Sequence, residues 1–365
     1  MIKLLDRYII KNFIGTFVFM TTLLALIVLV IDLSQRISKI EDNGSTIGAA
    51  LIDYYPFFVL WIVNTFLPIG VFIAAIYFTS RITNNTEVVA MTSGGMSFFR
   101  LTRPYLIVAF GIGAISFGIN HFLLPKANVY KNEYYYTYLQ PTSQEQDYYR
   151  GRPISAQISP NEYIFLHNYN RRTQNGSGFL YQKFEGNELV YALRANDLIW
   201  NDKDSIYTLN HFYERNVLAN GTDSLISGNR MEQKFDVSPD ELLPEGYVAE
   251  TMNSLELRKF IDREKFKGSA SISVYLNEFH QRTSLPFSSI ILTLLALSLS
   301  SQKRRGGIGL NLAIGILMAF IYIFGNEASK VLSNIGNLSP ILAVWLSNIV
   351  FGFITIVLYF RRAFS

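Results

Sequence analysis

The sequence predicts an α-helical membrane protein with an all-β module inserted at its middle. Three observations carry this. Half of the 365 residues are apolar and only 16% are charged, a balance that suits a chain spending much of its length in hydrocarbon. The apolar residues gather into six long runs, three before the middle and three after it. From about Lys126 to Ile272 no such run occurs, and short apolar stretches are punctuated by turn residues instead.

The first run, Phe13–Ile31, has 19 residues, close to the ~20 that cross about 30 Å of hydrocarbon as a helix. Lys3, Arg7 and Lys11 precede it, as in a signal peptide. The run is long and no Ala-x-Ala-like site follows, so it reads as an uncleaved first span. The second span, Pro56–Phe78, carries Asn64 and Pro68 at depth. Hydrocarbon offers Asn64 no partner, so it must face protein or a cavity, and Pro68 should kink the helix. The third span, Pro104–Leu124, contains Gly111, Gly113, Ala114 and Gly118, small residues that let helix backbones approach closely. Spans four to six fall at about Leu285–Leu299, Ile308–Gly325 and Pro340–Phe360. Residues 1–125 therefore form a first membrane half and 279–365 a second.

The intervening module, 126–250, reads as β. Candidate strands are Glu162–Leu166, Gly178–Phe184, Leu189–Leu193, Asp197–Trp200, Ser205–Tyr213 and Arg230–Val237. Turn signals separate them at Gly186-Asn187, Asn201–Asp204 and Asn220-Gly221. Short strands at this spacing predict a small antiparallel sandwich or jelly roll. Abundant Tyr and Phe are read as strand formers and core. A helical linker, 251–278, follows, with Leu257, Phe260 and Ile261 on one helix face.

Six spans place both termini on the same side. The short segments on that side hold eleven Lys and Arg, among them Lys3, Arg81, Arg100, Lys303 and Arg361, while those opposite hold three, Arg36, Lys39 and Lys330. Positive charge accumulates on the cytoplasmic face. Both termini are expected in the cytoplasm, with the β module outside the inner membrane, in the periplasm of a diderm cell.

Little in the chain suggests an enzyme. Without cysteine, disulfides and Cys–zinc sites are excluded. The four histidines show no metal-ligand spacing, so no metal and no cofactor is implied. No phosphate loop or Gly-x-Ser-x-Gly elbow is present. The net charge of +4 is too small to suggest nucleic acid. None of the six expected spans carries a carboxylate, which argues against an ion-coupled carrier.

The stretch Ser80–Arg103 is more informative. Asn84, Asn85 or Thr86 can cap a short helix over about 84–96, Glu87 lies in its first turn, and Gly94-Gly95 ends it. Val88 and Met91 share one face. Such an amphipathic helix can dock in a groove of a soluble partner, or be a solvated turn. At the opposite face Arg36, Lys39 and Lys330 lie near span ends, where cations meet lipid phosphates or simply snorkel.

Taken together, these residues resemble the LptF/LptG (YjgP/YjgQ) permeases of lipopolysaccharide export, over essentially the whole chain. Asn85–Ser97 is similar to the family's coupling-helix segment. Glu278–Pro286, Glu-Phe-His-Gln-Arg-Thr-Ser-Leu-Pro, resembles the start of its fourth span. Trp345-Leu346-Ser347-Asn348 resembles a Trp-x-Pro-Asn element of the last span, with Ser347 in place of Pro. The resemblance implies a permease subunit of an ABC-type complex that extracts lipopolysaccharide from the inner membrane. It implies as partners a cytoplasmic LptB-like ATPase dimer, a second LptF/LptG-type permease, and LptC/LptA-like periplasmic jelly-roll proteins that carry the lipid towards the outer membrane. Glu87, Val88, Met91 and Gly94 would couple to the ATPase. Arg36, Lys39 and Lys330 become candidates for the lipid head group by location alone. The competing readings are an ABC-associated permease for another lipid or lipoprotein, and a non-transporting adaptor that anchors a β module.

Overall fold

A computed structural model of the chain describes residues 3–139, 154–170, 174–201, 204–217, 222–235, 237, 247–269, 271–303 and 306–364. The chain divides into two units, Met1–Leu139 with Ala249–Leu257 and Ser273–Ser365, and Gln140–Val248 with Arg258–Ile272.

The first unit is helical. It contains α1 (Leu4–Asp42), α2 (Ile47–Asp53), α3 (Tyr55–Thr65), α4 (Leu67–Asn84), α5 (Glu87–Ser93), α6 (Phe98–Gly118) and α7 (Leu124–Tyr134). After the sheet come α8 (Val248–Thr251), α9 (Ser254–Phe266), α10 (Ile272–Ser300), α11 (Gly307–Asn334) and α12 (Pro340–Ala363). Six helices among the described residues are long and apolar enough to cross a membrane: α1, α4, the continuous helix Phe98–Leu139 built on α6 and α7, α10, α11 and α12.

These helices outrun the apolar stretches that mark them. α1 has 39 residues, about 58 Å at ~1.5 Å per residue, far more than the hydrocarbon needs. Hydropathy locates only the lipid-crossing part, and packing decides where a helix ends. The second span is broken rather than kinked. α3 stops at Phe66, and α4 restarts with Pro68 in its first turn, where the missing N–H costs nothing. The third span passes Lys126 and runs to Leu139, with π-helical turns at Ile119–Leu123 and Tyr135–Leu139. Its C-terminal end persists because Tyr134 and Leu139 bury against Ile40, Tyr54, Tyr55 and Phe58.

α4 and α10 sit at the centre of the bundle, with Val71, Phe72, Leu295 and Leu297 inaccessible to solvent. A Cβ on Gly113 of α6 would come within 3.1 Å of the Pro286 carbonyl oxygen, so the close approach expected of that small residue is real. α1, α11 and α12 instead leave much of their apolar surface outside, as lipid-facing helices do.

The second unit is an antiparallel sheet of β1 (Ile154–Ser159), β2 (Glu162–Leu166), β3 (Asn168–Asn170), β4 (Asn175–Glu185), β5 (Glu188–Asn201), β6 (Ile206–Val217) and β7 (Asp223–Gln233). The order is β1-β2-β4-β5-β6-β7, with β3 beside β4, so the sheet runs as a meander. The turn at Gly186-Asn187 joins β4 to β5, and Gly186 has φ +64, the left-handed conformation that glycine adopts freely. The strands expected at 189–193 and 197–200 are one strand, β5. Its buried positions run Leu193, Ala195, then Leu198, Trp200. This break in alternation imitates a strand boundary, and it lies opposite His211 of β6, at φ 53, with the β5–β6 register unchanged on either side. The apolar face packs Ile164, Phe179, Leu198, Tyr207 and Leu209 together. The turn expected at Asn220-Gly221 lies outside the described residues, as does part of Asn201–Asp204. In the linker, α9 opens with a capping box at Asn253 and Glu256, and Leu257, Phe260 and Ile261 are all buried.

Candidate functional site

Two polar constellations interrupt the apolar bundle, one at each end. The first surrounds α5. Thr86 precedes the helix at φ 63, and its hydroxyl donates to the Asn85 carbonyl, so the side-chain cap expected there does not form. Val88 is 1% exposed and joins the core, and Met91 packs partly against it. Val89 and Ala90 face outward. Gly94 closes the helix, its N–H donating to the Ala90 carbonyl, and the left-handed turn falls on Gly95 at φ +86. The sequence-predicted set is thus brought together on one short helix seated on the bundle by its apolar side. Glu87 is half-buried. Its carboxylate accepts from the Tyr8 hydroxyl at 2.8 Å and from Asn85 Nδ2 at 3.3 Å, leaving acceptor sites unused.

The second constellation lies at the opposite helix ends. A cavity of about 400 Å³ is bounded by α3, α4, α7, α8, α10 and α11. Asn64 and Asn120 line it and exchange hydrogen bonds at 2.9 Å each way, so Asn64 does face protein. Glu278 and Arg282 of α10 also line it and pair at 3.0 Å. Arg282, 2% exposed, donates Nη2 to the Ala249 carbonyl and Nη1 to the Met252 carbonyl, each at 2.8 Å, with Ser254 Oγ at 3.3 Å. Lys131 pairs with Glu250 at 3.5 Å and lies over the Trp61 ring. His121 Nδ1 meets Ser254 Oγ at 2.6 Å. The returning segment 249–254 is therefore clasped by α7 and α10. Sequence reading missed this clasp. It began the expected span four after Glu278 and ended span five before Glu327, and so found no carboxylate in them, whereas both lie within long membrane helices.

The three cations expected at the head-group level are not gathered. Arg36 pairs with Asp32 at 2.7 Å and lies 5.0 Å over the Tyr135 ring. Lys39 follows on the same helix, exposed. Lys330 lines the cavity, paired with Glu327 at 2.7 Å and with Gln281 Oε1 at 3.3 Å, and neither Arg36 nor Lys39 borders that cavity. Among the described residues no group of His, Asp and Glu is arranged to hold a metal ion.

This arrangement, a membrane bundle interrupted by a β module, matches a family. The family description "Lipopolysaccharide export system permease LptF/LptG" fits residues 7–361. The chain is also 22% identical, over 338 residues and 90% of each chain, to the "Lipopolysaccharide export system permease protein LptG" of Haemophilus influenzae. With all but the extreme ends of its sequence matched, the chain belongs to the LptF/LptG family of lipopolysaccharide export system permeases.

Proposed function

We propose that this chain is one permease subunit of an ABC-type complex that extracts lipopolysaccharide from the inner membrane and passes it to a periplasmic bridge. Both termini are then cytoplasmic, and the sheet unit is periplasmic. The observation that carries the reading is α5. It is a short helix with an apolar side seated in the bundle, an outward Val89 and Ala90, and a held carboxylate at its first residue. That is the form of a lever docked by a separate ATPase, here an LptB-like dimer. The outward apolar faces of α1, α11 and α12 suit lipid acyl chains and a second LptF/LptG-type permease. The sheet unit suits LptC/LptA-like partners. Arg36 and Lys39 are proposed to meet lipid A phosphates. Each acyl CH₂ withdrawn from the bilayer costs about 0.8 kcal/mol, so a lipid with several chains needs both an apolar shelter and an external source of free energy.

Substituting Glu87→Arg tests this directly. The ATPase should no longer copurify with the permease, and export should stop. A wild-type yield of ATPase would overturn the docking role. Protease access in sealed inside-out and right-side-out vesicles tests the orientation, and a sheet unit cleaved only from the cytoplasmic side would refute it.

A further inference from the structure

The foot of α1 is tied to the docking segment at both of that segment's ends. Tyr8 donates its hydroxyl to Glu87 Oε2 at 2.8 Å, at the start of α5. Asp6, 6% exposed, accepts two bonds of 2.7 Å from Arg100, which lies just beyond the end of α5 at the start of α6. The Lys3 N–H donates to the same carboxylate at 2.9 Å, which fixes it further. A bidentate arginine–carboxylate pair is directional as well as strong. Between the two ties, Ile9 and Phe13 of α1 bury in the cluster that also contains Val88 and Phe98. Phe13 stacks on Phe78 and lies against Tyr105.

An exposed hydrogen bond taken alone is worth little. Two ties from one turn of α1, backed by a buried apolar contact, form a joint. We propose that Tyr8 and Asp6 are positioning residues that fasten α5 and the start of α6 to the foot of α1, so that displacement of this segment moves α1 as one body. α1 is suited to carry such a displacement. It holds no proline and a single glycine, Gly15, so no hinge interrupts it. From Tyr8 to Arg36 it spans about 42 Å at ~1.5 Å per residue. Its far end bears the Asp32–Arg36 pair, with Tyr55 donating to Asp32 and Tyr135 under the guanidinium.

The inference rests on the reading that α5 docks an ATPase, and its test separates the two. The permease–ATPase complex is reconstituted in vesicles containing lipopolysaccharide, and lipid released to a soluble acceptor is measured per ATP hydrolysed. Tyr8→Phe removes one hydroxyl and should leave ATPase copurification at the wild-type level. Its release per ATP should fall about fivefold, the scale of one ordinary net hydrogen bond. Asp6→Arg and Arg100→Asp should each lower the same ratio, and the double swap should restore most of it, which a general loss of folding would not. A wild-type ratio in Tyr8→Phe overturns the proposal for Tyr8, as does loss of copurification by that variant. A swap no better than its single parents overturns it for Asp6. If Glu87→Arg still copurifies, it is the docking reading that fails.

Discussion

Replacing Arg282 with Met should be among the most damaging single changes in the helical unit. The side chain is 2% exposed and serves four acceptors: Glu278, the carbonyls of Ala249 and Met252, and Ser254 Oγ. Met keeps much of the volume, so the loss is polar. It leaves the half-buried Glu278 without its ion-pair partner and the segment 249–254 without its donor. Removing one member of a buried pair costs about 3–5 kcal/mol, and the orphaned carbonyls belong to the same network, so their cost does not simply add. We expect a destabilisation of about 3–5 kcal/mol for Arg282→Met. Adding Glu278→Gln removes the stranded charge and should recover part of this, leaving about 1–3 kcal/mol for the unsatisfied carbonyls. The assay is thermal unfolding of the purified protein in detergent, read alongside the rate of proteolysis within 247–257. If Arg282→Met melts with the wild type, or if Glu278→Gln deepens its loss, the clasp is not what holds this segment.

Three further outcomes follow from the same packing. Exchanging Arg36 and Lys39 together for Glu should weaken crosslinking of α1 to lipid A, and unchanged crosslinking would leave both as interfacial anchors. Asn64→Leu should destabilise the bundle by about 0.6–1.7 kcal/mol, the range for hydrogen bonds between membrane helices. Asn64→Leu with Asn120→Leu should be less harmful than the two losses added, and a thermal-denaturation cycle measures the difference. Gly113→Val drives a branched side chain at the Pro286 carbonyl and should cost about 1–3 kcal/mol, whereas Gly111→Val, with open space at its Cβ, should melt like the wild type.

The membrane architecture was legible because hydrocarbon imposes a single rule on every residue in it. The six runs and the close contact at Gly113 both follow from that rule. What the sequence concealed lies where the rule lapses. Helix ends at the head-group level can be polar and still helical, so the reach of α1 to Leu4 and Asp42, and of the third span to Leu139, had no hydropathy signature. The same blindness hid Glu278 and Glu327, which fell outside the apolar runs that marked their helices. In the sheet, the phase slip between Ala195 and Leu198 disguised one long strand as two. At α5 the residue types were legible, yet Tyr8 and Asp6 were not. Their partners Glu87 and Arg100 are 79 and 94 positions away, and no local pattern announces such a pairing.

The distribution of satisfied polar groups argues for how the two ends of the bundle could work together. A polar group in a membrane helix is costly unless it is paired, and a paired group resists being moved alone. Along α1 the described side-chain ties to other elements concentrate at the foot, through Asp6 and Tyr8, and at the far end, through Asp32 and Arg36. The stretch from Phe13 to Ile31 is largely apolar, and many of its side chains face outward. Apolar surface slides against lipid at little cost, whereas the tied ends must move with their partners. A helix fixed at its ends and smooth between them transmits a push better than one bonded along its length. The N-terminal part of α10 is the opposite case, since Arg282 binds it to the segment that follows the β module. On this reasoning α1 is the element built to shift and α10 the one built to stay. Crosslinks placed between α1 and α4 should therefore block lipid release, while crosslinks between α10 and segment 249–254 should be tolerated; the reverse pattern would refute the assignment.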